Sequence, residues 1–542
     1  MRVFFVLLSF IILISCRSER INTGDVAAAE KLAALSFTQQ ERDSLLSGVT
    51  ELGDNYRRLR TYALENGVAP ALVFNPVPPG FDIPRNQQVN RFTAGTAKMP
   101  RDTSELAFYS VRDLAGLIQR REISALRLTR FFLQRLRHYG DTLHCVITLT
   151  EKRALEQARR ADREIAAGHY RGLLHGIPYG AKDLLSVRGY KTTWGAAPYR
   201  DQVIDEDAAV IRKLEKAGAV LVAKLTLGAL AWGDVWYGGQ TRNPWDLSQG
   251  SSGSSAGSAS ATAAGLVPFA IGTETWGSIV SPSTRCGTTG LRPTFGRVSR
   301  AGAMALSWSM DKIGPLTRSV EDAALVFDAL RGVDRNDPST IGAAFNYPRS
   351  IEPKKIRIGY LKKEFEADST WSAFHKQALS TLRDMGFELI PLNLPNFPVY
   401  DMAFILNAEA AAAFDALTRS GKDDLLVRQV RNAWPNVFRT ARFIPAVEYI
   451  QANRLRSLLI SEMDRWFEKI DLYVAPPFGN NLLLSNLTGH PAVVIPNGFT
   501  DKGTPVSITF TGRLFDEALI LAVAAAYQEK TGFHLKHPAL FQ

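Results

Sequence analysis

The chain has 542 residues, of which 46% are hydrophobic, and a formal net charge of +11. This length and apolar content support a large globular core, and three cysteines are too few for a disulfide-stapled module. The densest positive stretch, Arg112 to Arg137, alternates with apolar residues at helical spacing. That pattern is typical of a solvated helix face, so the charge does not indicate a nucleic-acid partner.

The first 16 residues have the pattern of an export leader. Met1 and Arg2 form a short charged start, and residues 3–15 form an apolar run that is short for a membrane span. The run ends in Leu13-Ile14-Ser15-Cys16, which resembles the bacterial lipobox. We therefore expect residues 1–15 to be a signal peptide and Cys16 to carry lipid at the periplasmic or cell-surface side of a bacterial membrane. An ordinary secretory signal with an incidental cysteine is the alternative.

Of the other two cysteines, Cys145 lies in a largely apolar run, residues 143–149, and Cys286 lies just before the Gly287 to Gly290 segment. Free cysteine behaves as a small apolar residue when it is buried. We expect both to pack in this way, with a Cys145–Cys286 disulfide as the alternative in an oxidising compartment.

Residues 16–102 are predicted to be an accessory region without chemistry of its own. Ala27 to Leu64 has helical composition, whereas Pro76 to Phe81 is rich in proline and is followed by a polar, irregular stretch. We expect the irregular part to wrap around the main body. The body begins near Thr103, so the sequence predicts one large catalytic domain over residues 103–542.

The body alternates helical and strand-like patterns. Ser110 has the character of an N-cap before an amphipathic helix, and a second helix is predicted over residues 151–167. Residues 207–217 then predict a helix, which a glycine turn joins to a buried strand over residues 219–224. Alternation of this kind indicates an α/β sheet.

Residues 250–265 consist almost entirely of glycine, serine and alanine. This composition suits a flexible linker, but the run leads without a polar break into the apolar segment Leu266 to Ile271. Its use must therefore lie in the backbone, which can approach closely and bend tightly. A polar turn, Gly272 to Ser278, follows and opens a helix at Ile279-Val280. A strand, a tight turn and a helix that begins at a serine form a nucleophile geometry, because free N–H groups of the turn converge where an oxyanion would form.

Several segments resemble those of the amidase signature family of serine hydrolases. The family's Gly-Gly-Ser-Ser-Gly-Gly-Ser run is present in altered form from Ser252 to Ser258, its Gly-Thr-Asp-x-Gly-Gly-Ser turn as Gly272 to Ser278, and its Gly-Leu-Lys-Pro-Thr segment as Gly290 to Thr294. Upstream, Gly176 to Leu185 is similar to the catalytic-lysine segment of the family. The resemblance spans about residues 103–531 and is nearest to the amidotransferase A-subunit branch.

This resemblance implies a catalytic triad. Ser278 would be the acylated nucleophile, Lys182 the base, and Ser254, which follows a cis peptide bond in the family, the bridge between them. An ordinary lysine is protonated at neutral pH and cannot act as a base. Burial among apolar neighbours such as Leu184-Leu185 would lower the pKa of Lys182 and permit proton abstraction.

The resemblance also implies a fold and a reaction. The expected fold is a single large α/β domain whose mixed central β-sheet is covered by helices on both faces, preceded by a helical and irregular extension. The expected reaction is hydrolysis of a carboxamide C–N bond through an ester on Ser278, with the backbone N–H groups of Thr275, Trp276 and Gly277 holding the oxyanion. No cofactor is expected, and the histidines lack metal-ligand spacing. The expected partners are a small-molecule or peptide amide and, through the lipid, a membrane.

The chain departs from the family pattern at three positions near the nucleophile. Trp276 and Ala256 replace glycines, and Val280 stands where many relatives have arginine. The N–H of residue 276 is retained, and the indole would narrow or line the acyl pocket. Without the arginine charge, carboxylate-bearing substrates are disfavoured, and together with export this argues against a role in transamidation of charged tRNA.

Two other interpretations stay open. Gly253 to Gly257 fits the G-x-S-x-G nucleophile elbow, with Ser255 as nucleophile and His490 and Asp471 as available partners, but the polar stretch before it does not supply the buried strand that an α/β-hydrolase esterase needs. The second alternative is a non-catalytic, lipid-anchored solute-binding protein, which the departures favour. The retained triad side chains argue against it.

Overall fold

A computed structural model describes residues 21–348, 350–367 and 370–542. The predicted signal peptide and Cys16 lie outside these residues. The chain divides into two units, a smaller one formed by Met1–Glu65 with Phe443–Pro445 and a larger one formed by Asn66–Arg442 and Ala446–Gln542.

The smaller unit contains a pair of capped helices, α1 (Thr23–Leu32) and α2 (Gln39–Leu59). The side chains of Asn22 and Thr38 accept backbone N–H groups of the first turns, which otherwise have no partner in a helix. Arg42 on α2 donates two hydrogen bonds of 2.8 Å to the carboxylate of Glu30 on α1. The helical composition predicted for residues 27–64 is thereby confirmed, with a break at residues 33–38.

The larger unit holds the remaining helices and all the strands described. Its helices are α3 (Val111–Gln119), α4 (Ala125–Leu143), α5 (Glu151–Ala166), α6 (Ala209–Lys216), α7 (Ala256–Ala263), α8 (Val280–Cys286), α9 (Val320–Leu330), α10 (Lys362–Ala367), α11 (Ser372–Asp384), α12 (Phe404–Ala413), α13 (Asp415–Arg419), α14 (Trp434–Ala441), α15 (Ala446–Phe467), α16 (Asn480–Thr488) and α17 (Glu517–Thr531). Its strands are β1 (Val146–Leu149), β2 (Pro178–Lys182), β3 (Val220–Leu225), β4 (Val235–Trp236), β5 (Gly239–Gln240), β6 (Arg242–Asn243), β7 (Asp246–Gly250), β8 (Phe269–Glu274), β9 (Thr289–Arg292), β10 (Lys312–Thr317), β11 (Arg357–Leu361), β12 (Glu388–Leu392), β13 (Leu472–Ala475), β14 (Ala492–Phe499) and β15 (Pro505–Gly512).

Eleven of these strands form one mixed sheet in the order β1-β3-β2-β8-β10-β9-β14-β15-β13-β11-β12. The β2–β3, β2–β8, β11–β12 and β11–β13 pairs are parallel, and the other neighbours are antiparallel. Helices flank the sheet, so the predicted α/β fold is confirmed. The helices predicted over residues 151–167 and 207–217 are confirmed as α5 and α6, and the strand predicted over residues 219–224 as β3.

The sheet brings two distant segments together at one edge. β2 and β8 are parallel neighbours, with Ala181 opposite Ile271. Since the carboxyl ends of parallel strands meet at the same edge, Lys182 at the end of β2 lies beside the residues that end β8.

The Gly/Ser/Ala run forms α7, and every residue of that helix is buried. A Cβ atom at Gly257 would lie 2.5 Å from both Cys145 O and Thr226 N, and one at Gly272 would lie 2.7 Å from Ser255 Oγ. The small residues are therefore required because this helix approaches the sheet backbone closely. The run is not a linker.

The stretch from Asn66 to residue 102 belongs to the larger unit and has a mostly irregular conformation. The amide of Asn66 donates to Ala305 O and accepts from Ala305 N, at 2.9 and 2.8 Å. Further along, the ring of Phe74 contacts the ring of Phe295 edge-on, with centroids 5.0 Å apart. In the same stretch, the ring centroids of Phe81 and Phe515 lie 6.0 Å apart, and the side-chain amide of Asn90 donates to Phe345 O at 2.9 Å.

Two further findings concern the cysteines and the membrane. Cys145 and Cys286 are buried free thiols, as expected, and burial raises the pKa of Cys145 to about 12. Over the described residues, none of the helices combines the length and the apolar character that crossing a membrane requires.

Candidate active site

The base predicted at Lys182 is fully buried at the end of β2. Its Nζ lies 2.8 Å from Ser254 Oγ, 3.1 Å from Ser255 Oγ and 2.8 Å from Thr273 Oγ1. Burial lowers the pKa of Lys182 well below its ordinary value, because desolvation disfavours the ammonium. The more distant charges of Asp311 and Glu274 oppose this effect without reversing it.

The bridging serine has the backbone that the family resemblance implies. The Gly253–Ser254 peptide bond is cis, and Ser254 is buried. A Cβ at Gly253 would lie 1.9 Å from Gly233 O, so no larger residue fits at this position. The structure thus brings Lys182 and Ser254 into direct contact.

Ser278 lies next to this pair. Its carbonyl oxygen accepts the N–H of Ser255 at 3.1 Å, and Ser252 Oγ contacts Ser281 Oγ at 2.7 Å. The segment that contains Ser252 to Ser255 therefore lies beside the segment that contains Ser278 to Ser281. Ser278 is 8% exposed, and its hydroxyl makes no hydrogen bond with any part of the chain that the structure describes. The contact between the Ser254 and Ser278 hydroxyls stays a prediction.

The turn between β8 and α8 carries the backbone groups predicted to hold an oxyanion. The N–H groups of Thr275, Trp276 and Gly277 have no acceptor among the described residues. Gly277 has a φ of +86°, which favours glycine at this bend. Thr275 Oγ1 donates to Asp311 Oδ1 at 2.5 Å, and this bond fixes one end of the turn.

Glu274, which the sequence did not single out, anchors the other end of the turn. Its Oε2 accepts the N–H groups of Ile279 and Val280 at 2.8 and 2.9 Å, and its Oε1 accepts from Arg292 at 2.9 Å and Asn486 at 2.8 Å. Burial would raise the pKa of Glu274, but the Arg292 charge and these hydrogen bonds outweigh it and lower the pKa to about 2. Its signal in the sequence was a carboxylate at the end of an apolar strand.

A second buried lysine was also missed. Lys224 Nζ lies 2.7 Å from Asp183 Oδ1, and both side chains are inaccessible to solvent. Asp183 directly follows Lys182, and its other carboxylate oxygen accepts from both the N–H and the hydroxyl of Thr193. This ion pair fixes the backbone immediately after the candidate base.

The residues of the alternative Ser255 site are not brought together. Ser255 is fully buried, its hydroxyl donates to Thr273 O at 3.0 Å, and it accepts the N–H of Thr273 at 3.1 Å. His490 Nδ1 instead contacts Thr488 Oγ1 at 2.7 Å, and burial lowers the pKa of His490 to about 3. Asp471 pairs with Arg357. No hydrogen bond between these three groups occurs in the described part of the chain.

A sequence model of the family described as Amidase matches residues 127–482, more than half of the chain. The chain belongs to the amidase family. It is therefore an enzyme that hydrolyses amide bonds, as expected, and the alternative of a non-catalytic binding protein is set aside.

Individual relatives agree with this assignment. The amidase is 34% identical over 485 residues to the A subunit of glutamyl-tRNA(Gln) amidotransferase from Heliobacterium modesticaldum, an alignment that covers 80% of this chain and 98% of that protein. Its structure is similar to the native peptide amidase from Stenotrophomonas maltophilia, with a TM-score of 0.71, 31% identity, and coverage of 79% and 98% of the two chains. A bacterial aryl acylamidase, 22% identical, shares the fold with a TM-score of 0.71 and coverage of 79% and 97%.

The amidase carries an exposed aromatic pair beside the turn between β8 and α8. Trp276 is 37% exposed, and its ring centroid lies 6.1 Å from that of Tyr400. Val280 is buried and packs with Leu482 and Val494, so the start of α8 is apolar on this side. The surroundings of Ser278 therefore present aromatic and apolar groups.

A cleft of about 510 Å³ opens between the β11–β12 edge of the sheet and the start of α16. Apolar side chains and a few polar ones form its walls: it is lined by Leu361, Lys363, Glu364, Leu392, Asn393, Leu394, Pro395, Asn396, Phe397, Val399, Asn480 and Leu484. Nothing in the sequence pattern predicted this cleft.

Proposed function

We propose that this amidase cleaves its substrate through an ester on Ser278, with Lys182 as the base and Ser254 as the proton relay. The observation that carries the proposal is the fully buried Lys182, whose pKa is lowered and whose Nζ lies 2.8 Å from Ser254 Oγ. A neutral amine in contact with a hydroxyl can take up the proton of that hydroxyl.

The hydrogen bonds around Lys182 orient its lone pair. The hydroxyl proton of Ser255 is directed to Thr273 O, so Ser255 Oγ can only accept from Lys182. A neutral amine has two N–H donors, and Ser255 Oγ and Thr273 Oγ1 take them. The lone pair then faces Ser254, which is the direction that the relay requires.

Acylation moves two protons toward the lysine. Ser278 Oγ attacks the amide carbonyl carbon and gives its proton to Ser254, which passes its own proton to Lys182. The N–H groups of the 275–277 turn hold the oxyanion, where loss of one donor typically costs about 3 kcal/mol. The tetrahedral intermediate collapses as the relay returns a proton to the leaving nitrogen, and the C–N bond breaks. Water then attacks the ester by the same route and releases the acid.

Active-site labelling tests this assignment. A fluorophosphonate should modify the enzyme once, and peptide mapping should place the label on Ser278. Alanine at Ser278, Ser254 or Lys182 should abolish labelling and turnover of an amide. Ser258→Ala is a matched control, because that buried serine on α7 bonds Ile271 O and does not contact Lys182. A label on Ser255 would instead support the elbow interpretation.

We propose an uncharged amide as the substrate. The apolar start of α8 at Val280 and the exposed Trp276 support a neutral, partly apolar acyl group. The peptide amidase relative is consistent with this class. The amidotransferase relatives are named for glutamyl-tRNA(Gln). We propose that this chain acts instead on a small amide and does not bind a tRNA.

We also propose that the enzyme is exported and anchored to a bacterial membrane through lipid on Cys16. The support is the sequence of residues 1–16 alone. Metabolic labelling with an alkyne fatty acid should tag the wild-type protein in the membrane fraction, and Cys16→Ser should lose the tag while keeping the same kcat. An untagged wild-type protein would contradict lipidation.

A further inference from the structure

We propose that Glu409 on α12 is a positioning residue for the oxyanion turn, and that it acts through the loop of residues 306–311 and Asp311. The inference rests on the proposed reaction, in which the N–H groups of residues 275–277 hold the oxyanion. These N–H groups stabilise the transition state only when they point to the place where negative charge develops. The segments that hold the turn in place therefore affect the rate.

The first step leads from the oxyanion turn to Asp311. Thr275 Oγ1 donates a hydrogen bond of 2.5 Å to Asp311 Oδ1. The other carboxylate oxygen of Asp311 accepts the N–H groups of Leu306 and Ser307, at 2.8 and 2.9 Å. Asp311 therefore joins the turn to the loop of residues 306–311, and the position of its carboxylate depends on where that loop lies.

The second step leads from this loop to Glu409, which is 6% exposed. Its Oε2 accepts the hydroxyl of Ser307 at 2.6 Å and the N–H of Ser309 at 3.0 Å. Its Oε1 accepts the hydroxyl groups of Ser309 and Tyr449, both at 2.7 Å. Both carboxylate oxygens are thus used, and Glu409 holds the loop at two of its residues.

Arg456 on α15 supplies the opposite charge that a buried carboxylate needs. Its guanidinium donates to the hydroxyl oxygen of Ser309 at 2.8 Å and to Ser309 O at 2.9 Å. Ser309 is therefore held between a carboxylate and a guanidinium. Three of the four hydrogen bonds that Glu409 accepts come from the loop and one comes from Tyr449 on α15. The carboxylate accordingly fixes the loop more than it fixes the packing of α12 on α15.

The rate of fluorophosphonate labelling tests this role without a known substrate. In the labelling step, Ser278 Oγ forms a bond to phosphorus, fluoride leaves, and the serine proton passes through Ser254 to Lys182. The phosphoryl oxygen occupies the oxyanion site during this step, so the rate constant reports the geometry of the turn.

Glu409→Ala in the full-length enzyme should lower the second-order rate constant of labelling by about 10- to 100-fold, since a displacement of about 1 Å at the reacting groups can cost about 100-fold. Ser307→Ala removes one of the four hydrogen bonds and should lower the rate constant about fivefold. Glu409→Gln should restore most of the rate, because its amide oxygen can still accept the N–H of Ser309.

A double-mutant cycle distinguishes positioning through Thr275 from a general loss of stability. Thr275→Val removes the hydroxyl that donates to Asp311 and keeps the backbone N–H. If Glu409 acts through Asp311, Glu409→Ala combined with Thr275→Val should be labelled no more slowly than Thr275→Val alone. The midpoint of the pH dependence of labelling reports the pKa of Lys182 and should stay the same in all these variants.

Asp322→Ala is the matched control. Asp322 is another buried carboxylate, and it accepts the N–H groups of Val111 and Arg112 at the start of α3. Its loss should lower the melting temperature and leave the labelling rate unchanged.

Two results would overturn the role of Glu409: an unchanged labelling rate in Glu409→Ala, or rate losses that multiply in the double variant. If Glu409→Ala does not fold, Ser307→Ala takes its place in the same cycle and the same two results apply. A wild-type enzyme that is labelled at a residue other than Ser278 would instead overturn the proposed reaction.

Discussion

At the scale of single residues, Lys182 is the clearest case of a side chain whose chemistry is set by its surroundings. Because burial lowers its pKa, the neutral amine becomes available at a lower pH than for an exposed lysine. Only the neutral form can take the Ser254 proton, so activity should rise as the pH rises through this lowered pKa. A profile of kcat/KM against pH should therefore show an ascending limb on its acid side, with its midpoint at the pKa of Lys182.

Lys182→Arg is the sharpest variant for the same prediction. Arginine keeps the positive charge and cannot be deprotonated in this range, so the relay loses its base. We expect kcat/KM to fall by about 10²- to 10⁴-fold, the usual contribution of a general base. Lys224→Arg is the matched control, because Lys224 forms an ion pair with Asp183 and an arginine keeps the charge that this pair needs. If Lys182→Arg and the wild type had comparable activity, Lys182 could not be the base.

Asp516, at the N-cap of α17, gives a residue-scale prediction for stability. Burial, followed by the neighbouring charge of Glu517, raises the pKa of Asp516 to about 6. The folded state therefore binds this proton more tightly than the unfolded state does. The resulting stabilisation is complete below about pH 4 and is lost as the pH rises through 6.

Asp516→Asn should accordingly raise the melting temperature at pH 8 and leave it unchanged at pH 4, with a gain of about 1 kcal/mol because the side chain is partly accessible. The adjacent Glu517→Gln should act in the opposite direction, since it leaves the buried Arg297 without its carboxylate. Equal shifts at both pH values would contradict the raised pKa.

At the scale of elements, α7 shows why a Gly/Ser/Ala run can be a buried helix. Gly257→Val would place a side chain within 2.5 Å of Cys145 O and Thr226 N, both of which are backbone atoms that cannot rotate away. We expect a loss of stability of about 3 kcal/mol or more, measured by denaturant unfolding. Gly67→Ala, which has no atom within 4 Å of its Cβ, should be nearly neutral.

The helices and strands also show which structural features can be predicted from the sequence. Local patterns predicted α5, α6 and the strand–turn–helix around Ser278, because the spacing of apolar residues and the turn residues are encoded within each segment. The Lys182–Ser254 contact joins positions 72 residues apart and could be predicted only through resemblance to a family. The Glu274–Asn486 bond joins positions 212 apart, and it depends on how α16 packs on the sheet, which no local pattern encodes.

At the scale of the whole molecule, Arg456 connects parts of the larger unit that are remote in sequence. Its guanidinium donates to Leu487 O on α16 and to the hydroxyl and carbonyl oxygens of Ser309. It also lies 3.7 Å from the centroid of the Phe74 ring. The segment from residue 66 to residue 102 therefore covers a buried cation whose other partners belong to the catalytic body.

Two truncated chains should consequently behave differently. A chain that begins at Asn66 keeps the complete larger unit and should unfold cooperatively with wild-type amide turnover. A chain that begins at Thr103 loses the Asn66–Ala305 pair and the Phe74 ring, which uncovers Phe295 and Arg456. We expect this shorter chain to lose several kcal/mol of stability, since it exposes aromatic surface and a buried charge to water.

Thermal unfolding and amide turnover, measured on both chains under the same conditions, test this difference in stability. Phe74→Ala in the chain that begins at Asn66 isolates the ring contact and should cost about 3 kcal/mol. Phe81→Ala removes a second ring of the same segment, which contacts Phe515 at a centroid distance of 6.0 Å, and should add to the loss independently. If the chain that begins at Thr103 melted at the same temperature as the longer one, residues 66–102 would be dispensable and the body would be complete from Thr103 onward.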